Sequence, residues 1–506
     1  MDDGPVGQGS TLEDEDKSAA QVSVIGRKAG RGLSWAMGGT LLVKLGSFAM
    51  GLVLVRLLTP EDFGLYAVAL AATGFIMHVN DMGIIAATGQ WRGRVEEMAP
   101  TGATLALICS IAWYALFWVA APWFSQLAGS PDATPIVRLL TATILIDGIT
   151  AVRVGVIQRG FQQDKLVLAI LVGFAVNAPT AIILAANGAG AYSFVVGQLA
   201  QSVVTGALVL RIARLPFHYS LDRALAKRLL VFGVPLAAGL AVESVLLFSG
   251  SVIVGNVLGP AMLGFYMLAF NVSNWVPGLV GTAVRYVSIP GFSRLAEQEP
   301  KVLALGVQRT IPLMFKFVTP IAVAMAVLAP AMVHFLYGAK WVPAAEALRF
   351  LAVGMIARML SALALDILTS LGNTNATVWL NLGWAAALIP AMIMGVHLDG
   401  IRGAAIAHAI VAVVVAMPLT VLMLQRGGVN LRPVVPALVR PLLGGLIAGL
   451  TMLVASELFE FPPALELFVA GGAGLVSYLL VAIPASQLAK FVRRAPHFRN
   501  QREAQA

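Results

Sequence analysis

Ionisable side chains that interrupt long apolar stretches are the residues of this sequence with chemistry to offer, chief among them Lys44, Asp81, Asp147, Glu243, Arg358 and Asp366. Holding such a group in mid-hydrocarbon costs about 2.5–3.5 kcal/mol on insertion scales, so each is a functional candidate until a structural role is found for it. Lys44 shares a stripe with Thr40, Ser47 and Gly51, whose spacings are those of one helix face. A cation on a polar face suits an anionic group, which makes Lys44 a candidate substrate contact. A structural lysine paired with a neighbouring acid is the competing reading. Arg358 is the second candidate contact. It lies about 80° around a helix from Asp366, whereas Arg349 lies about 180° from Arg358, so only one of the two arginines can share a face with Asp366. Arg349 is the shallower and reads as an interfacial anchor, while Arg285 and Lys316 are near enough to one surface to snorkel.

Asp81, Asp147, Glu243 and Asp366 are candidates for gating or for carrying a coupling proton or sodium ion. Asp81 shares a face with His78, and Asp147 has Thr143 and Thr150 one turn to either side. Pairing with an arginine, or a hydrogen bond across helices, is the structural alternative for both aspartates. Glu243 follows Lys44 by 199 residues, nearly its counterpart in a second half of the chain, so a bridge between them would act as a gate. His334 and His408 stand alone and read as packed side chains. Cys109 is the only cysteine, which rules out an internal disulfide or a cysteine metal cluster. No metal-ligand spacing and no nucleotide-binding loop occurs, so no catalytic residue, metal or cofactor is assigned.

The elements that must hold these residues are dictated by composition. Of 506 residues, 58% are hydrophobic and 12% charged, and the mean hydropathy is +0.85; a water-soluble domain of this length does not carry that balance. About fourteen windows of roughly 20 apolar residues can be marked off, each long enough to cross the hydrocarbon as a helix. They lack the strict alternation of lipid-facing strands. The fold class expected is therefore an all-α integral membrane protein of about 14 transmembrane helices. Residues 1–31 read as a disordered cytoplasmic tail with no cleaved signal peptide, and 490–506 as a basic cytoplasmic tail. Lys and Arg collect in alternate loops, among them Arg92, Arg94, Arg159, Lys165, Arg211, Arg214, Arg223, Lys227 and Arg228. That bias places both termini in the cytoplasm. It also explains much of the net charge of +9 by contact with anionic lipid, without nucleic acid as a partner.

An internal repeat orders the spans. Leu58, Pro60, Gly64 and Tyr66 recur as Leu258, Pro260, Gly264 and Tyr266 at an offset of 200 residues. Gly160 is echoed by Gly372, and Gly190-Ala191 by Gly403-Ala404. Six spans per repeat return the chain to its starting side, so the halves should be related by a pseudo-two-fold axis along the membrane normal. The expected layout is an N-lobe over 32–215 (helices 1–6), a C-lobe over 216–427 (helices 7–12), and two extra C-terminal helices over 428–489. A cavity between such lobes can open to either side in turn by rocking.

The segment from Val55 to Tyr66, Val-Arg-Leu-Leu-Thr-Pro-Glu-Asp-Phe-Gly-Leu-Tyr, resembles the outer turn of the Wzx-type polysaccharide-export flippases. These belong to the multidrug/oligosaccharidyl-lipid/polysaccharide flippase superfamily. Ile157–Phe161 is similar to that family's loop before the fifth span, and Tyr337–Ala345 to its turn before the tenth. The resemblance covers roughly residues 30–430. It implies a bacterial inner-membrane transporter that flips an undecaprenyl-pyrophosphate-linked oligosaccharide from the cytoplasmic to the periplasmic leaflet. Membrane lipids and the polymerase and other polysaccharide-assembly proteins would be its partners. A proton or sodium gradient, or the membrane potential, would drive it. The rivals are a lipid-linked peptidoglycan-precursor flippase and a multidrug antiporter of the same superfamily, the latter disfavoured by the cations Lys44 and Arg358. A membrane-embedded oligosaccharide polymerase or ligase is a third, disfavoured because no internal loop is long enough for an acceptor site.

Overall fold

The structure is a computed structural model, and it describes residues 35, 37–80, 83–91, 93–160, 162–278, 300–371, 374–459 and 462–482. The two tails, Asp81, Arg285 and Gly372 lie outside the described residues, as does the His78 side chain. Among the described residues the chain is helical and has no strands. Eleven helices among the described residues are long and apolar enough to cross a membrane. Two of them are long enough to turn back within their length. Arg223–Ser273 bends at Gly259 (φ 79°), and Thr374–Val411, which continues through a π-helical stretch into Met417–Arg426, bends at Asp399 and Gly400. Glycine takes the left-handed φ at both bends without a Cβ clash. Their faces carry many exposed Leu, Val, Ile and Phe side chains, the surface a chain presents to hydrocarbon rather than to water.

The chain divides into two compact units. One comprises residues 1–51, 76–120 and 138–240; the other comprises 52–75, 121–137 and 241–506. In the first unit, Gly39 and Gly46 of the Met37–Leu57 helix face Val167 and Phe174 of Gln163–Ala186. Small residues at this spacing let the two backbones close up where no hydrophobic effect drives helices together. Gln163–Ala186 and Tyr192–Ala213 pack along their length and are joined by a half-buried amide pair, Asn177 Nδ2 donating to Gln201 Oε1 at 2.7 Å.

In the second unit the two copies of the repeated turn meet each other. Thr59 is the N-cap of Pro60–Asn80: Asp62 N donates to its Oγ1 at 3.2 Å, while Asp62 Oδ2 accepts from Thr59 N at 2.9 Å and from Thr59 Oγ1 at 2.7 Å. This is a reciprocal capping box with proline at the first helical position. A Cβ on Gly64 would run into the Pro260 carbonyl, and a Cβ on Gly264 would run into the Pro60 carbonyl. Pro and Gly therefore recur together because each glycine makes room for the other copy's proline turn. Gly129 (φ 65°) lies likewise against the Gly255 backbone, and Asn256 Nδ2 donates to Leu127 O at 2.7 Å. These contacts explain why short pieces of the first half of the chain are compact with the second.

The Tyr337–Ala345 turn closes over the same place. Gly338 (φ 91°) reverses the chain so that Lys340 and Trp341 reach the C-terminal end of Met37–Leu57. Lys340 Nζ donates to Leu58 O at 2.7 Å and Arg56 O at 3.3 Å, and Trp341 Nε1 donates to Val55 O at 2.9 Å. A cation and an indole thus occupy carbonyls that a helix end leaves without partners. Trp341, wholly buried, stands edge-on between Phe63 at 4.9 Å and Phe265 at 5.8 Å. Withdrawal from water holds the Lys340 ammonium below the usual lysine range, with the Asp62 carboxylate acting in the opposite sense.

The last two helices, Val434–Leu458 and Pro463–Ala482, form a hairpin on Pro300–Val327. Gly445 faces Thr319 and Gly449 faces Val323. Tyr478 Oη donates to Lys316 O at 2.8 Å. Pro320 stands four residues beyond Lys316 and has no N–H for that carbonyl, so the tyrosine hydroxyl supplies the missing donor and fastens the hairpin.

Candidate functional site

Arg358 sits mid-way along Ala344–Ser370 in the second unit. Its Nη2 donates to Ser273 Oγ at 3.0 Å and, longer, to Leu351 O at 3.4 Å. Its guanidinium lies over the Phe270 ring, 5.4 Å from the centroid. Nε and Nη1 are shut off from solvent and have no hydrogen-bond partner among the described residues. Among the described residues no carboxylate touches it; its polar surroundings are the Tyr266 and His408 side chains. Cation–π contact returns about 0.5–2 kcal/mol, well short of the several kcal/mol that removing an unpaired charge from water costs. An arginine so placed has room in its chemistry for an anion.

Around it the walls are aromatic. Tyr266 stacks on Phe270 at 6.2 Å, and Phe270 meets His408 at 5.9 Å. His408 is buried, with Nδ1 unpartnered among the described residues. Tyr266, Phe270 and His408 also line a pocket of about 330 Å³ completed by Leu246, Leu388 and Met392. Asp366, two turns further along the Arg358 helix, is buried and engaged with its surroundings. Glu243 is half-buried on Arg223–Ser273, and Arg349 is exposed.

The first unit holds the other candidates. Lys44 is half-buried on Met37–Leu57. It lies about 140–160° around the helix from Gly39 and Gly46, so it points away from the face packed on Gln163–Ala186. Asp147 is half-buried on Thr143–Arg159. The two threonines beside it spend their hydroxyls on backbone: Thr143 Oγ1 donates to Leu140 O at 2.8 Å, and Thr150 Oγ1 donates to Ile146 O at 2.9 Å. Both Lys44 and Asp147 interact with neighbouring groups. Lys44 and Glu243 belong to different units, as do Asp147 and Asp366. Sequence reasoning passed over Arg153, a buried arginine on the Asp147 helix. Its signal was the same as for Arg358, an ionisable residue inside an apolar window.

A family model described as polysaccharide biosynthesis protein matches residues 53–346. The chain is 27% identical over 331 residues to the succinoglycan biosynthesis transport protein ExoT of Rhizobium meliloti, covering 63% of this chain and 65% of that protein. It thus spans a little under two thirds of that relative's length. It is 21% identical to the lipopolysaccharide biosynthesis protein WzxC of Escherichia coli, covering 76% of this chain and 78% of that one. Among solved structures, the inward closed conformation of the lipid II flippase MurJ superposes with a TM-score of 0.73 at 13% identity, over 89% of this chain and 97% of that one. An inward-facing multidrug resistance transporter of the MATE family, MOP superfamily, superposes with a TM-score of 0.57 at 17% identity, over 78% and 94% of the two chains. At such identities the likeness is one of fold.

Proposed function

The chain belongs to the polysaccharide biosynthesis protein family, and on that premise we propose that it is a flippase. Its cargo is an undecaprenyl-pyrophosphate-linked oligosaccharide, carried from the cytoplasmic to the periplasmic leaflet by alternating access for surface or exported polysaccharide. The observation that carries this reading is Arg358, a membrane-buried cation whose partners in the described residues are all neutral. A pyrophosphate or acidic sugar is the kind of cargo that justifies such a charge, and an organic cation is not. The aromatic side chains beside it give a sugar ring flat apolar faces to lie against. Lys44 serves as a second cation for the same cargo.

Access is controlled at the interlocked turns. With the termini in the cytoplasm, the Thr59–Tyr66 and Gly259–Tyr266 turns and the Lys340–Trp341 clasp lie at the periplasmic end, and release requires them to part. Asp81, Asp147, Glu243 and Asp366 are the groups available for gating or for coupling to a proton or sodium gradient. The polymerase and other assembly proteins receive the product on the far side.

Reconstitution tests the reading. Proteoliposomes loaded with a lipid-linked repeat unit in the outer leaflet are probed with a glycosidase that cannot cross the bilayer. Protection of the sugar that depends on the protein, and that falls by about tenfold or more in R358Q, is the expected result. Protection equal to that of empty liposomes contradicts it.

A further inference from the structure

The first unit contains a second buried arginine with an unmet hydrogen-bonding group, and a pocket in front of it. Arg153 is 3% exposed. One Nη donates to Ile149 O at 3.1 Å, the guanidinium lies 4.3 Å from the Phe217 ring centroid, and the Tyr219 hydroxyl stands beside it. Its Nε is buried without a hydrogen-bond partner among the described residues. All of these neighbours are neutral, and no carboxylate is within ion-pair distance of Arg153 among the described residues. Arg153 forms one wall of a pocket open to the outside, with Pro100, Leu215, His218, Tyr219 and Glu96.

The pocket is roofed by the segment between Tyr192–Ala213 and Arg223–Ser273, and that segment is held in place. Arg214 turns it with a left-handed φ of 48°. Ser220 O accepts from Thr104 Oγ1 at 2.9 Å, and Asp222 N donates to Thr101 Oγ1 at 3.2 Å. Asp222 Oδ1 then caps the next helix, accepting from Ala224 N at 2.7 Å. Phe217 and Tyr219 are exposed on their outer sides, as aromatic residues at a lipid–water boundary are. A built cavity at that boundary, with a desolvated cation at its back and apolar walls, selects a ligand that is anionic at one end and hydrocarbon at the other.

We propose that this pocket is the loading site for the diphosphate headgroup of the polyprenyl-linked cargo, with Arg153 donating to a phosphate oxygen. The inference rests on the flippase reading and adds to it a place of first contact distinct from the Arg358 site. Glu96, exposed at the rim, is water-screened and does not neutralise Arg153; it weakens the site by repulsion.

The test uses the full chain in detergent micelles with geranylgeranyl diphosphate as probe. Geranylgeraniol, inorganic pyrophosphate and phosphatidylglycerol serve as comparisons. Hydrogen exchange of residues 214–222 is followed across a titration, so that binding at this pocket is read apart from binding at Arg358. The diphosphate lipid should slow exchange there saturably, and geranylgeraniol should not. R153Q should raise the half-saturating concentration by about tenfold or more. E96Q should lower it by about two- to fivefold, an opposite change that misfolding cannot produce. Equal protection in the wild type and R153Q overturns this site and leaves the flippase reading standing. Protection by phosphatidylglycerol or pyrophosphate as strong as by the probe also overturns it, since the site would then be a general anion site. No saturable effect of the diphosphate lipid anywhere in the wild type overturns both.

Discussion

At the scale of single residues, the useful signal is a charge that lacks a counter-charge. Among the described residues Arg358 has it, and substitution should separate its charge from its shape. R358K keeps the cation but loses the planar fork that donates to Ser273 and that, on the proposed reading, would also donate to the cargo. Flipping should therefore fall in R358K by less than in R358Q, where the loss is about tenfold or more, as measured by initial rates in proteoliposomes at matched protein density. K44Q should lower the same rate with a smaller effect, because Lys44 is only half-buried. Equal rates in all three variants and the wild type would remove both residues from the cargo path. The sequence marks these two positions as candidates because each is a charge deep inside an apolar window. Spacing places Thr143 and Thr150 one turn to either side of Asp147, and only the structure shows that their hydroxyls donate to the helix backbone. Arg153 went unread because it lies near a basic end of its helix, where the bias of cytoplasmic loops already accounts for arginines.

At the scale of elements, the repeated turn was legible as a pattern but its reason was not. Spacing showed that Pro and Gly recur together; only packing shows that each glycine receives the other copy's carbonyl. Gly64→Ala and Gly264→Ala should therefore act alike, each disfavouring the closed turn by about 1–3 kcal/mol. Faster hydrogen exchange over residues 60–66 and 259–266 in both variants is the expected outcome. A response confined to one variant would contradict the reciprocal packing. Leu127→Cys with Asn256→Cys, in a Cys109→Ala background, should cross-link where Asn256 now meets the Leu127 carbonyl, and the cross-linked protein should stop flipping until reduced. The hairpin offers a separate check. Y478F should lower stability by about 1–3 kcal/mol, and P320A should restore a backbone donor to Lys316 O. The double variant should then lose less than the sum of the two in a thermal unfolding cycle. Nothing in the sequence tied Tyr478 to Pro320, since 158 residues separate them.

At the scale of the whole molecule, composition alone put the chain in the membrane as helices, and the structure agrees. Its fold is that of the flippase and multidrug transporters with which it superposes. The grouping of residues into compact units was less legible. Hydropathy sees spans as equal windows, whereas the pieces 52–75 and 121–137 join the second half of the chain through backbone-to-backbone contacts at turns. The central claim is that this machinery moves a complete lipid-linked oligosaccharide between leaflets. Depletion of the protein in its native host, followed by extraction of polyprenyl-linked sugars and assay of the leaflet that holds them, tests it most directly. The account predicts a complete lipid-linked repeat unit accumulating on the cytoplasmic side while surface polysaccharide is lost. Normal polysaccharide, with altered sensitivity to drugs instead, would contradict it and point to an antiporter.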